Sequence, residues 1–208
     1  MCERFKAQKP SSWQLRFHTQ TAGSTLTAQQ PENNVVRVTM QALSAVLGGT
    51  QSLHTNSMDE TLALPSEEAV KLALRTQQLI AQESEVTNTV DPLGGSYYLE
   101  ALTNRLEEGA LDYFHKLDAM GGMVKAIEQG WPQAEMAKAA TRFQEEVDAR
   151  KRIIVGLNAY QTDEKVQIPV FSLDPEIERR QVQRVKDVRA RRDQSVLAAA
   201  IARLRRWP

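Results

Sequence analysis

Cysteine is almost missing from this chain: Cys2 is the only one in 208 residues. That excludes an intramolecular disulfide framework and a cysteine-built zinc cluster. Long apolar runs are missing too. No stretch approaches the roughly 20 residues a membrane span requires, and the first ten residues, "MCERFKAQKP", lack the apolar core of a secretory signal. A cytoplasmic setting is the default expectation, with no membrane partner. There is no net charge, no fixed-period repeat and no low-complexity tract. What is present, 41% apolar and 25% charged residues, describes a globular protein with a core.

The zero net charge conceals an asymmetry. From Asp174 onward there are ten Lys/Arg and five Asp/Glu, a net of +5, so the first 173 residues carry −5. The basic tail lacks the interleaved aromatics that stack on single-stranded nucleic acid, so no nucleic-acid partner is expected. Docking on an acidic protein surface is the simpler use of such a tail.

Hydrophobic spacing divides the chain. Period-2 alternation in "LRFHTQ" predicts a strand over residues 15–20, with Leu15 and Phe17 on one face and Arg16, His18 and Gln20 on the other. A helix is expected from Pro31 to Leu47, on a stripe of Val35, Val38, Leu43 and Val46, stopped by Gly48-Gly49. "TQSLHTNS" (50–57) reads as a second strand. "LPSEEAVKLALRTQQLIAQES" reads as a helix capped by Ser66, with Glu67 and Glu68 at its positive end. "VTNTVDPLGGSYYLEA" reads as extended, ending in a turn over 91–95. Helices follow at about 99–120, 122–129 and 132–151. "RIIVGLN" (152–158) and "VQIPVFSL" (166–173) read as strand-like. The remainder, from Asp174, reads as one long helix with Pro175 in its first turn.

Strand–helix–strand–helix is the grammar of an α/β fold with parallel strands. Polar residues gather where each strand ends: His18, Thr19, Gln20 and Thr21 on the first, His54, Thr55, Asn56 and Ser57 on the second. Parallel folds place ligands at that end. Two convincing core strands are too few to close a barrel, so the chain reads as the back part of a larger domain. His18 and His54 as a metal pair lack a third ligand, and no metal site is expected. His115 reads as surface, and the two-glycine "DPLGGSYY" as a structural turn.

The motifs "RFHTQTAG", "QQPENN", "VLGGTQSLHTNSMDETLALP", "RTQQLI", "DPLGGSYYLEALT", "MGGMVKAIEQG" and "IIVGLNAYQ" resemble the large subunit of methylmalonyl-CoA mutase and its acyl-CoA mutase relatives, in unbroken order over nearly the whole chain. The resemblance implies a helix-rich α/β fold: the C-terminal portion of a (β/α)8 TIM barrel over residues 1–158, and a linker with a long basic helix over 159–208. It implies an adenosylcobalamin-dependent isomerase. In that family cobalt–carbon homolysis yields an adenosyl radical that abstracts a substrate hydrogen before the thioester group migrates.

Carried onto this sequence, the resemblance makes His18, Gln51 and Arg16 acyl-CoA-side residues. It makes Gln20 and Gly23 corrin-side residues and Glu60 the acceptor for the adenosyl ribose. The family's catalytic tyrosine, thioester-facing histidine and carboxylate-selecting arginine are expected upstream of Met1, so no catalytic residue is assigned here. No Asp-x-His-x-x-Gly occurs, so the lower cobalt ligand must come from another domain or chain. The implied partners are an acyl-CoA, a cobalamin-binding domain or subunit, and the upstream half of the barrel or a second mutase subunit. Alone, the chain is expected to be inactive. Ser24 stands where some methylmalonyl-CoA mutases carry a bulky aromatic, which leaves isobutyryl- and hydroxyisobutyryl-type substrates beside methylmalonyl-CoA. The competing expectation is a non-catalytic assembly module that docks through the tail, whose apolar stripe runs Ile177, Val182, Val185, Val188 and then Val196, Leu197, Ile201 and Leu204.

Overall fold

The computed structural model describes residues 5–163 and 168–207. The chain divides into two compact units, Met1–Val170 and Phe171–Pro208. No helix among the described residues is long and apolar enough to cross a membrane.

The first unit is helix-rich α/β around a small parallel sheet. Strand β1 (Thr19–Gln20) pairs in parallel with β2 (Leu53–His54), Thr19 opposite Leu53 and Gln20 opposite His54. Helix α1 (Asn33–Leu47) makes the crossover between them, and α2 (Glu67–Glu83) follows β2. A parallel pair needs such a connection, because no tight turn can return the chain to the same end. Both strands are shorter than their sequence predicts. Residues 15–17 lie beside the segment that precedes β2, where the carboxamide of Gln51 takes their backbone groups: Phe17 N donates to Gln51 Oε1 at 3.0 Å and Gln51 Nε2 donates to the Leu15 carbonyl at 2.8 Å. A side chain standing in for a strand residue ends the ladder. Beyond His54, side chains again take over. Leu15 and Phe17, the apolar face of the expected strand, are exposed.

α1 and α2 pack on each other. The buried positions on α1 are Asn34, Val38 and Ala42, one per turn; those on α2 are Ala69, Ala73, Thr76 and Ile80. The expected stripe is thus centred one residue off. Ala42 rather than Leu43 is the fully buried position, because a small residue lets the two helices approach, while Val35, Leu43 and Val46 are half-buried. α1 ends in a Schellman arrangement, Thr50 N on Ala45 O and Gly49 N on Val46 O, with Gly49 at φ +77°. α2 begins as expected, with Ser66 accepting from Ala69 N.

The segment expected to be extended after α2 instead contains a 3-10 turn (Val86–Asn88), then the turn closed by Gly94 N on Asp91 O. Left-handed Glu85 (φ +57°) starts this change of direction. Helices α3 (Tyr97–Ala119), α4 (Met123–Glu128) and α5 (Trp131–Asp148) follow. His115 is exposed on α3, in line with its surface reading.

Residues 152–158 form no strand. Asn158 gathers the backbone groups a ladder would need: Ile154 N donates to Asn158 Oδ1, and Asn158 Nδ2 donates to the Val147 and Arg152 carbonyls. One isolated bridge, Val155 with Ala159, is what remains. Of the fourth expected strand, Val166 and Gln167 lie outside the described residues, and 168–173 carry no regular structure.

The second unit is not one long helix but two, α6 (Pro175–Ala190) and α7 (Gln194–Arg205). The break has a local cause. Asp193 accepts from the backbone N–H of Ser195 and of Val196, at 2.8 and 3.1 Å, and so starts a new helix where the old one would have continued. Those bonds, led by one from the Ser195 hydroxyl, hold the Asp193 carboxyl below its usual value. Neither helix buries a residue.

Candidate functional site

Beyond the C-terminal ends of β1 and β2 the two chains are joined by side chains. Thr21 N donates to the His54 carbonyl at 3.1 Å, extending the pairing by one bond. The Thr21 hydroxyl then donates to Asn56 Oδ1 at 2.6 Å and accepts from Asn56 N at 2.9 Å. Both residues are buried. With its oxygen fixed, the Asn56 amide must turn its nitrogen outward, and Nδ2 donates to Glu60 Oε2 at 2.5 Å. Ser57 N donates to the other Glu60 oxygen at 2.6 Å. Glu60 is therefore held by two donors and remains half-buried. Each oxygen keeps acceptor capacity for a further donor.

Gly23 sits against this network. A Cβ on it would lie 3.3 Å from Asn56 Nδ2, so the glycine makes room for the amide that orients Glu60. The group that comes close to this glycine among the described residues is the Asn56 amide.

Two further residues fix the loops that carry these groups. Asn34, fully buried at the start of α1, accepts from Thr27 N and donates to the carbonyls of Thr27 and Met58. It ties the loop after β1 to the loop after β2. Arg37, one turn on, donates to Asn34 Oδ1, Thr27 Oγ1 and the Val155 carbonyl, which brings the 152–159 turn against the same loops. Neighbouring Asp59 is buried, with Oδ2 accepting from Ser66 N and Oδ1 lacking a partner among the described residues.

The remaining sequence-chosen residues lie on the exposed side of the sheet. His18 Nδ1 is 2.8 Å from Ser52 Oγ. Gln20 and Arg16 are exposed and engage no side chain among the described residues. Gln51 is exposed too, but both ends of its amide are used on residues 15 and 17. The structure thus unites Gly23 and Glu60 through Asn56, and it pairs His18 with Ser52. It gives Arg16 no place in either group. Thr21, Asn56, Ser52, Asn34 and Arg37 were not singled out from sequence. Thr21 and Asn56 did belong to the polar strand ends noted there; Asn34 gave no signal beyond its place in "QQPENN". No group of three or more His, Cys, Asp or Glu placed to hold a metal occurs among the described residues.

Comparison with known proteins adds an independent line. The family model described as methylmalonyl-CoA mutase matches residues 1–207. The chain is similar to the 2-hydroxyisobutanoyl-CoA mutase large subunit of Aquincola tertiaricarbonis, 46% identical over 98% of this chain and 36% of the relative. It is similar to the methylmalonyl-CoA mutase of Escherichia coli (strain K12), 46% identical over 95% of this chain and 28% of the relative. The mitochondrial methylmalonyl-CoA mutase of Homo sapiens is 40% identical over 96% of this chain and 27% of the relative. The chain thus spans about a third or less of the length of these curated relatives.

Proposed function

The chain belongs to the methylmalonyl-CoA mutase family, and from that membership we propose that it forms one part of an adenosylcobalamin-dependent acyl-CoA mutase. The reaction is the interconversion of methylmalonyl-CoA and succinyl-CoA, carried out in the cytoplasm with the remaining parts of the barrel and the lower cobalt ligand supplied by other segments or chains. The observation that carries this reading is the Thr21–Asn56–Glu60 network at the ends of two parallel strands. It builds a fixed, half-buried carboxylate acceptor beside exposed Gln20 and His18. A 2-hydroxyisobutanoyl-type acyl-CoA is the second substrate reading, favoured by the relative from Aquincola tertiaricarbonis.

The residues fit the cofactor in a way that can be checked. A vicinal diol such as a ribose offers two O–H donors, and Glu60 presents two oxygens already aligned by one N–H each. Gln20, with its amide uncommitted, would serve the corrin edge, and His18 and Arg16 the acyl-CoA side. Gln51 would join the substrate side with the second N–H and the second lone pair that its amide keeps. When bound, adenosylcobalamin would supply the organic radical that starts the rearrangement. The chain's own contribution is to hold Glu60 rigid, to orient His18 and to form part of the wall that keeps water out.

Unpartnered apolar surface supports the chain being one part of a larger fold. α3 buries no residue, and Leu102, Leu106, Leu111 and Phe114 on it are exposed. Each strand has one neighbour among the described residues, leaving an edge open for further strands of a (β/α)8 barrel. The test is reconstitution: the 208-residue chain is mixed with separately produced remaining barrel and cobalamin-binding parts of a relative, and conversion of methylmalonyl-CoA or 2-hydroxyisobutanoyl-CoA is followed. Turnover is expected in the complete mixture and not from the chain alone. Glu60→Ala should lower it by about tenfold or more, the scale of losing hydrogen bonds to a charged acceptor. No turnover with either substrate in any mixture overturns the proposal.

A further inference from the structure

We propose that Ser52 is a positioning residue for His18. Its hydroxyl donates to Nδ1, holds the imidazole as the Nε2–H tautomer and leaves Nε2–H as a hydrogen-bond donor on the open side of the sheet. The assignment deepens the reading of His18 as an acyl-CoA contact and rests on it for its purpose. The lock itself rests on geometry.

Three consecutive ties hold this corner of the sheet. Gln51 Oε1 accepts from Phe17 N, Ser52 Oγ meets His18 Nδ1 at 2.8 Å, and the Ser52 carbonyl accepts from Thr19 N at 2.9 Å. The backbone on both sides of His18 is therefore pinned to the two residues that precede β2. Thr50 adds a clamp, donating to Thr19 Oγ1 at 2.6 Å and lying 3.1 Å from the Ser52 carbonyl. The serine is presented to the ring by fixed main chain on both strands, so the 2.8 Å contact does not depend on a flexible arm.

The donor count favours one direction of the bond for the neutral ring. A serine hydroxyl has one proton to give, and among the described residues Ser52 Oγ meets no acceptor but Nδ1. If it gives that proton to Nδ1, both hydrogen-bonding groups are used and the ring proton sits on Nε2, which has no partner among the described residues. The reverse direction would leave the hydroxyl proton facing solvent and turn Nε2 into an acceptor. A thioester carbonyl accepts hydrogen bonds and cannot donate them, so for the neutral ring only the first arrangement gives His18 something to offer an acyl-CoA.

Nitrogen-15 spectra of the histidine rings in the full 208-residue chain test this, at a pH where free imidazole is neutral. With three histidines in the chain, His54→Gln and His115→Gln assign the His18 signals. The expected pattern is a pyridine-type Nδ1 and a protonated, pyrrole-type Nε2. Ser52→Ala should reduce the tautomer ratio about two- to fivefold, the effect of one exposed hydrogen bond, and Ser52→Thr, which keeps the hydroxyl, should retain it. A wild-type chain with the proton on Nδ1 overturns the proposal without any variant, and so does an unchanged ratio in Ser52→Ala. Addition of methylmalonyl-CoA to the labelled chain reassembled with the remaining barrel and cobalamin-binding parts separates the two ideas. A shift of the His18 Nε2–H signal supports the acyl-CoA contact. A locked tautomer that does not respond to the thioester removes that contact and leaves the role of Ser52 standing.

Discussion

Replacing Asn34 with alanine removes four hydrogen bonds from one fully buried side chain: from Thr27 N and Arg37 Nη1 to Oδ1, and from Nδ2 to the carbonyls of Thr27 and Met58. Each ordinary bond contributes about 1 kcal/mol net. The Arg37 bond is charge-assisted but partly exposed, which discounts it to a similar size. The larger loss comes from what stays behind. The N–H and carbonyl of buried Thr27 lose their partner in a site closed to solvent, at about 1–3 kcal/mol for each orphaned group. Relaxation and entry of a water would recover part of that, so the expected destabilisation is about 3–5 kcal/mol, a large fraction of the roughly 5–15 kcal/mol of a typical domain. Urea unfolding of the full chain measures it as a fall in the midpoint at nearly constant slope. Asn34→Asp is the sharper control. It preserves shape but sets an oxygen against two carbonyl oxygens, and should lose at least as much as alanine. A loss below about 1 kcal/mol in both variants would refute the view that Asn34 joins the two site-bearing loops.

Gly23→Ala should shift the side-chain amide signals of Asn56, because the new Cβ would stand 3.3 Å from Nδ2 while Thr21 and Glu60 hold that amide from the other sides; unchanged Asn56 signals would show that the glycine is not needed for the network. The net stability change should stay within about 1 kcal/mol, since crowding is offset by the smaller entropy of the unfolded alanine chain. Asp193→Ala should melt the first turn of α7, read from the backbone chemical shifts of residues 194–205, while Asp193→Asn should retain much of the cap. Because folded Asp193 titrates below its ordinary value of 3.8, the stabilisation is fully present above that pH and is lost as pH falls through the lower folded value. Acidification should therefore loosen α7 in the native chain and leave the asparagine variant unaffected; equal acid sensitivity in both would dismiss the cap.

Helices with strong end signals were legible in the residues. Ser66 with its two glutamates and Gly48-Gly49 each mark a boundary within one residue of where the structure puts it. Strands were less so. The alternation over 15–20 is real, but Gln51 competes for the backbone of 15 and 17, and no local pattern announces a glutamine acting as a strand. The same competition converts 152–158 into a turn around Asn158. In the tail, the apolar stripe runs on past residue 190, while a single aspartate cap outweighs it and restarts the helix.

The sequence by itself determined the chemistry available and its approximate address: polar side chains at the ends of two α-linked strands, with glycine and glutamate at motif spacing. Tertiary structure alone decided which of those side chains are engaged with one another. Thr21 and Asn56 lie 35 residues apart, and His18 and Ser52 lie 34 apart. A hydrogen bond between such residues depends on the parallel register and on the crossover helix that sets it, and neither is encoded within the reach of any single motif.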